Sequence, residues 1–196
     1  MNRTEQQLIA EHRAGSADAF PELVRRYTPE IYRFLFRFMG NADNAEDVTQ
    51  ETFLKVWKAL PRYRSGEPFR PWVFRIAQNT AIDHLRKHTP LSFSDMAADD
   101  DAQVFADTLP DPEPLPDELF ARREDAAMLA SLLLLLPFQH REVLLLRYME
   151  EFTFDEIGKA LGKPVDTVKS HHRRALIKLR TLFEELEKNP GESAPK

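Results

Sequence analysis

The chain has 196 residues, 42 % of them hydrophobic and 30 % charged, with a formal net charge of -5. That supplies packed cores for one ordinary domain or two small ones, and it excludes a disordered chain. Six glycines leave few places for phosphate-cradling loops, and the lack of cysteine excludes disulfides, zinc-thiolate sites and thiol catalysis while suiting a reducing cytoplasm.

The first residues, MNRTEQQLIAEHRAG, lack the apolar core of a signal peptide, and the longest apolar run, Leu132 to Leu136, is too short to span a bilayer. A cytoplasmic protein without membrane insertion is therefore expected. Apolar residues then recur at helical spacing: Phe20, Leu23, Val24, Tyr27, Ile31, Leu35 and Phe38. The stretch Asp43-Asn44-Ala45-Glu46 reads as a helix start, with the Asp43 carboxylate as cap and Glu46 reaching back, and this helix runs to about Ala59 before Leu60-Pro61. Its apolar positions are Val48, Phe53, Val56, Trp57 and Leu60. The loop PRYRSGEPFR breaks the periodicity, and a helix from about Arg70 to Lys87 follows, with Trp72, Ile76, Ile82 and Leu85 on its buried face.

Residues 92–118 carry prolines and many acids but no Lys or Arg, the composition of a flexible acidic linker. Beyond it, Phe120, Met128, Leu129, Leu132 and Leu136 form an apolar face interrupted by Pro137, and three more helices are expected before Leu186 and a frayed tail. The fold class is all-α, with two small helical domains joined by the linker. The expected bounds are 1–88, a linker over 89–118, a second domain over 119–187 and a tail over 188–196.

Within the second domain, Thr153-Phe154-Asp155-Glu156 has the pattern of a capping box, Gly162 fits a left-handed stop, and Pro164 opens another helix. Val165, Val168, Ala175 and Leu179 of that helix face inward toward Ile157, Ala160 and Leu161. Thr167, Lys169, Ser170, His171, Arg173 and Arg174 are left on its outer face. This is the layout of a helix-turn-helix that reads a major groove: guanidinium groups suit guanine edges, hydroxyls suit bases or phosphates, and lysine neutralises the backbone. His172 lies one turn beyond Val168 and is expected to be half-buried beside a partner. The two adjacent histidines do not have metal-ligand spacing, and neither a metal nor another cofactor is implied.

Three stretches, AEDVTQETFLKVWKAL, RPWVFRIAQNTAIDHLRK and LPFQHREVLLLRYMEEFTFDEIGKALGKPVDTVKSHHRRALIKLR, resemble regions 2 and 4 of the extracytoplasmic-function sigma factors of bacterial RNA polymerase. The resemblance covers about Ser16 to Leu186, in the order of the family. It implies a dissociable initiation factor rather than an enzyme, with core RNA polymerase and promoter DNA as partners and an anti-sigma factor as regulator. It places Asp47, Gln50 and Glu51 against the β′ clamp helices, and brings the apolar face around Leu144 to Tyr148 toward the β flap. It makes the loop from Pro61 to Arg70 and the next helix the reader of the -10 element. There Arg62, Arg64, Arg70, Arg75, Arg86 and Lys87 track single-stranded phosphate, Tyr63 or Phe69 stacks on a base, and Asn79 meets a base edge. The helix-turn-helix reads the -35 element, and the linker threads the polymerase cleft toward the RNA exit path. Two residues depart from the pattern: His172 stands where an aliphatic residue is common, and Asp166 where a small one is.

A self-sufficient DNA-binding regulator is the competing reading, and it predicts tight duplex binding without polymerase. An enzyme would need converging catalytic groups, whereas Asp99-Asp100-Asp101 lie on the expected linker.

Overall fold

A computed structural model of the chain describes residues 3–88 and 123–188. The acidic stretch and Phe120 lie outside the described residues. Eight α-helices occur among those described: α1 (Glu5–Arg13), α2 (Ala19–Met39), α3 (Ala42–Ala59), α4 (Phe69–His88), α5 (Arg123–Leu134), α6 (Phe138–Leu144), α7 (Phe154–Leu161) and α8 (Val165–Lys188). A 3₁₀ turn over Leu60–Arg62 and a π-helical turn over Leu145–Met149 complete the regular structure. The chain divides into two compact units, residues 1–90 with 155–163, and residues 91–154 with 164–196.

In the first unit α2, α3 and α4 pack against one another and α1 lies on α2. The periodicity of α2 buries Leu23, Tyr27, Ile31, Phe34, Leu35 and Phe38 on one stripe. Phe34 meets the edge of Phe74 at 5.3 Å between ring centroids. Gly40, left-handed at φ 71°, ends α2. Helix α3 then starts two residues earlier than its sequence suggests. Asn41, not Asp43, is the cap, its side-chain oxygen accepting from Asn44 N at 2.9 Å. Asp43 instead adds negative charge to the first turn, where the helix dipole favours it.

Helix α1 has no counterpart among the expected elements. Thr4 and Gln7 close a reciprocal capping box, and Leu8 and Ile9 are its buried residues. Arg3 reaches Glu11 at 2.9 Å and also pairs with Glu22 of α2, while Arg26 pairs with Glu22 and donates to Arg3 O at 2.7 Å. Tyr27 OH donates to Glu5, and burial, then that carboxylate, raises the phenol far above its ordinary value.

In the second unit α8 packs on α6 and α5. Arg141 is buried and gathers the C-terminal carbonyls of α5 and the following turn: Nε donates to Leu133 O at 2.8 Å, and Nη2 donates to Leu134 O and to Leu136 O at 3.1 Å. Burial pulls this guanidinium down to about 10. After α6 the helix widens, with Glu150 N donating to Leu145 O at 3.2 Å, and Glu151 turns left-handed at φ 57°.

Candidate nucleic-acid interface

The loop between α3 and α4 is built from inside. Tyr63 and Phe69, expected as base-stacking residues, are only 4 % and 2 % exposed. Their rings lie 5.6 Å apart edge to face, with Trp72 at 4.9 Å from Tyr63 and Tyr27 at 5.2 Å from Phe69. Both are corrected to core residues, because a four-ring cluster gives their apolar area a better site than water. Burial raises the Tyr63 phenol. Arg70 is likewise engaged, with Nε donating to Glu30 at 2.9 Å and its guanidinium over Phe74.

The remaining residues of this group face solvent. Arg62 and Arg64 are exposed on the loop, and Arg75, Asn79 and Arg86 are exposed on α4, at a spacing that aligns them along one side of the helix. Lys87 is exposed at its end, where cations also suit the dipole. On α3, Asp47 and Gln50 are exposed, and Glu51 pairs with Lys55 at 3.0 Å. Leu54 and Trp57 continue this stripe, 60 % and 52 % exposed. Trp57, one of the apolar positions that mark this helix in the sequence, lies three residues beyond Leu54 and so on the outer face.

Gly162, at φ 66°, and Pro164 separate α7 from α8. Helix α7 buries Ile157, Gly158 and Ala160, and α8 buries Val168, Ala175, Leu176 and Leu179. The two histidines exchange their expected places in part. His171, expected on the DNA-facing surface, is 7 % exposed, its ring 6.0 Å from that of buried His140. Consecutive helical residues point about 100° apart, so both flank the stripe through Val168 and Ala175, and α8 turns the 171 side deeper. His172 is half-buried with a partner, as expected: Tyr148 OH lies 3.2 Å from its Nε2, and the edge of Phe154 lies 5.2 Å away between centroids. Burial, then the Arg147 charge, lowers its pKa. Lys169 is exposed; Thr167, Ser170, Arg173 and Arg174 are half-buried. Nε and Nη2 of Arg173 make no hydrogen bond among the described residues.

Of the segment expected to meet the β flap, Leu144, Leu145 and Leu146 are buried and Tyr148 is exposed. A small apolar hollow is walled by Leu129, Leu133, Leu144, Leu145, Tyr148 and Leu179. Leu134 and Leu135, at the end of α5, are exposed.

Two family models match: Sigma-70 region 2 over residues 23–90 and Sigma-70 region 4 over residues 132–181. The ECF RNA polymerase sigma factor SigW of Bacillus subtilis is 31 % identical over 180 residues, 91 % of this chain and 96 % of that one. The chain belongs to the extracytoplasmic-function sigma factors of the sigma-70 family. The RNA polymerase sigma-H factor of Pseudomonas aeruginosa is 36 % identical over 175 residues, 87 % of this chain and 89 % of its own. Among solved structures, CnrH in complex with the cytosolic domain of CnrY matches with a TM-score of 0.67 at 27 % identity, covering 92 % of this chain and 97 % of that chain. The sigma factor RpoE bound to the anti-sigma factor NepR, from Bartonella quintana, shares the fold with a TM-score of 0.61 at 21 % identity, covering 84 % and 96 %. This sigma factor is thus a promoter-directing initiation factor, with core RNA polymerase and promoter DNA as its partners. Among the described residues no helix is long and apolar enough to cross a membrane.

Proposed function

We propose that this sigma factor works in the cytoplasm without catalysis of its own, and that three surfaces divide its task. Residues 1–88 hold the polymerase-docking and -10 surfaces, and residues 119–187 hold the -35 surface. The observation that carries this reading is the outer stripe of α3, where Asp47, Gln50, Leu54 and Trp57 stand exposed at helical spacing. Carboxylate and amide groups beside two large apolar side chains suit a partner helix that offers cations and an apolar seat, as the β′ clamp helices would. An anti-sigma factor would hold the chain silent by covering surfaces that polymerase needs; the Bartonella RpoE–NepR complex supports a regulator of that kind.

Arg62, Arg64, Arg75, Asn79 and Arg86 carry the -10 reading, with cations for the strand backbone and an amide for a base edge. Lys169, Thr167, Ser170, Arg173 and Arg174 carry the -35 reading, and Asp166 at the start of α8 repels the nearest phosphate. Tyr148, with the exposed Leu134 and Leu135, offers the contact to the β flap. Footprinting of the holoenzyme tests this division. Asn79→Ala should reduce strand opening at -10 while upstream protection persists, and Lys169→Ala should weaken upstream protection first. Identical footprints for the two variants would overturn the assignment.

A further inference from the structure

The -10 loop is short of internal support. It holds Gly66 at φ 104° and Pro68, and its backbone bonds are Tyr63 N to Leu60 O and Glu67 N to Arg64 O, each 3.2 Å. Tyr63 OH donates to Glu67 O, which ties the buried ring to the far side of the turn. The rest comes from outside, across about fifty residues of sequence. Arg13, the last residue of α1, donates through Nη1 to Ser65 Oγ at 3.0 Å, and through Nη2 to Leu60 O at 3.3 Å and to Tyr63 O. One guanidinium thereby joins the base of the loop to its tip. A planar fork with several fixed donors can do this and a single ammonium cannot. Gln6, two turns earlier on α1, lies beside the Tyr63 side chain.

A tether is as firm as the element that carries it. Helix α1 is fixed to α2 by the Arg3, Glu22 and Arg26 network and by Tyr27 with Glu5, and His12 packs on Phe20 at 5.6 Å between ring centroids. Arg62 and Arg64, the exposed cations of the loop, flank Tyr63, whose carbonyl Arg13 holds. Helix α1 lies wholly outside the residues matched by the region 2 model, 23–90.

We infer that α1 is part of the -10 reading device, with Arg13 as a positioning residue that sets the pose of the loop carrying Arg62 and Arg64 and so how well the -10 element is held and opened. This rests on the loop being the -10 reader, as proposed above. Arg13 touches no DNA in this scheme; it acts through Leu60, Tyr63 and Ser65.

The experiment compares the full chain with Arg13→Ala, Arg13→Lys and Ser65→Ala in two ways. Amide hydrogen exchange of residues 62–67 reads the loop without reference to function. Footprinting of the holoenzyme on one responsive promoter reads strand opening at -10 and upstream protection separately, with Arg64→Ala as the direct loop variant. Arg13→Ala should speed exchange in 62–67 about tenfold, matching loss of a charge-assisted tether that is part-exposed, and should reduce strand opening at -10 by a similar factor with upstream protection unchanged. Arg13→Lys should recover little, and Ser65→Ala should give a milder form of both effects. Unchanged exchange in Arg13→Ala and Ser65→Ala would overturn the tether. Faster exchange with -10 opening intact would overturn the inference where Arg64→Ala does reduce opening; if Arg64→Ala also keeps it, the -10 assignment of the loop falls instead. Should Arg13→Ala fail to fold, Ser65→Ala, which leaves α1 untouched, decides by the same two readings.

Discussion

Replacing Leu54 and Trp57 together by alanine removes the apolar part of the α3 stripe without opening the core. Leu54 is 60 % exposed, so about 1–2 kcal/mol of its transfer energy remains to be gained on docking. Trp57 is 52 % exposed, leaving about 100 Å² of a large ring, or about 2.5 kcal/mol at 25 cal/mol/Å². An interface covers only part of such area, and association carries its own entropic cost, so about 2 kcal/mol is the expected net loss, a roughly thirtyfold rise in Kd. The fold should barely respond, because surface substitutions on a helix stay within about 0.5 kcal/mol and alanine is the better helix former. Competition of unlabelled variants against labelled wild-type chain for core polymerase measures the first quantity, and urea unfolding measures the second. Wild-type affinity in the double variant would refute the docking assignment. A large loss of stability would show instead that both side chains serve the core.

Arg141→Met keeps the stem but leaves the carbonyls of Leu133, Leu134 and Leu136 without their shared donor, and should cost about 3 kcal/mol in urea unfolding of the full chain. A cost near zero would show that water or a shifted backbone satisfies them equally well. His172 is held below its ordinary value of 6.5 by burial and by Arg147, so folding favours the neutral ring. Its contribution is complete above about 6.5 and is lost as pH falls through the lower folded value, so the urea midpoint should drop between pH 7 and pH 5 more in wild type than in His172→Phe. Equal drops would remove His172 from that dependence. Arg174→Ala should weaken promoter use and lower the slope of log affinity against log salt by about one, measured by holoenzyme titration; an unchanged slope would place Arg174 away from phosphate.

Helices α2 and α3 were legible because each carries several turns of apolar residues in phase, and long stripes fix a burial face. Helix α4 was legible as a helix, but Trp72, Ile76, Ile82 and Leu85, expected on its buried face, are only half-buried, and Phe69, Val73, Phe74, Ala77, Thr80 and Ala81 are buried instead. Where that signal thins, so does the reading. Helix α1 has Leu8 and Ile9 as its buried residues, and the clue to it was the Thr4 and Gln7 capping pair. Tyr63 and Phe69 sit in a loop whose sequence has no period to say which way a ring points; only the meeting with Tyr27 and Trp72 turns them inward. At the start of α3, Asn41 and Asp43 are both good caps, and the left-handed Gly40 decides between them by bringing the chain round early. Arg141 stands in the polar run Gln139-His140-Arg141-Glu142, which gives no sign of burial until the end of α5 folds over it. Arg13 gave no local signal, since its acceptors are roughly fifty residues away. The outer stripe of α3, by contrast, was marked by its polar members, while its apolar members resembled core.

The most direct measurement is transcription in vitro from fragmented genomic DNA of the source organism by core RNA polymerase, with and without the protein, mapping every RNA start. New starts preceded by two shared upstream motifs, at the spacing of -35 and -10 elements, are the expected result. No new starts, together with tight binding of duplex DNA by the protein alone, would contradict the account and favour a self-sufficient regulator.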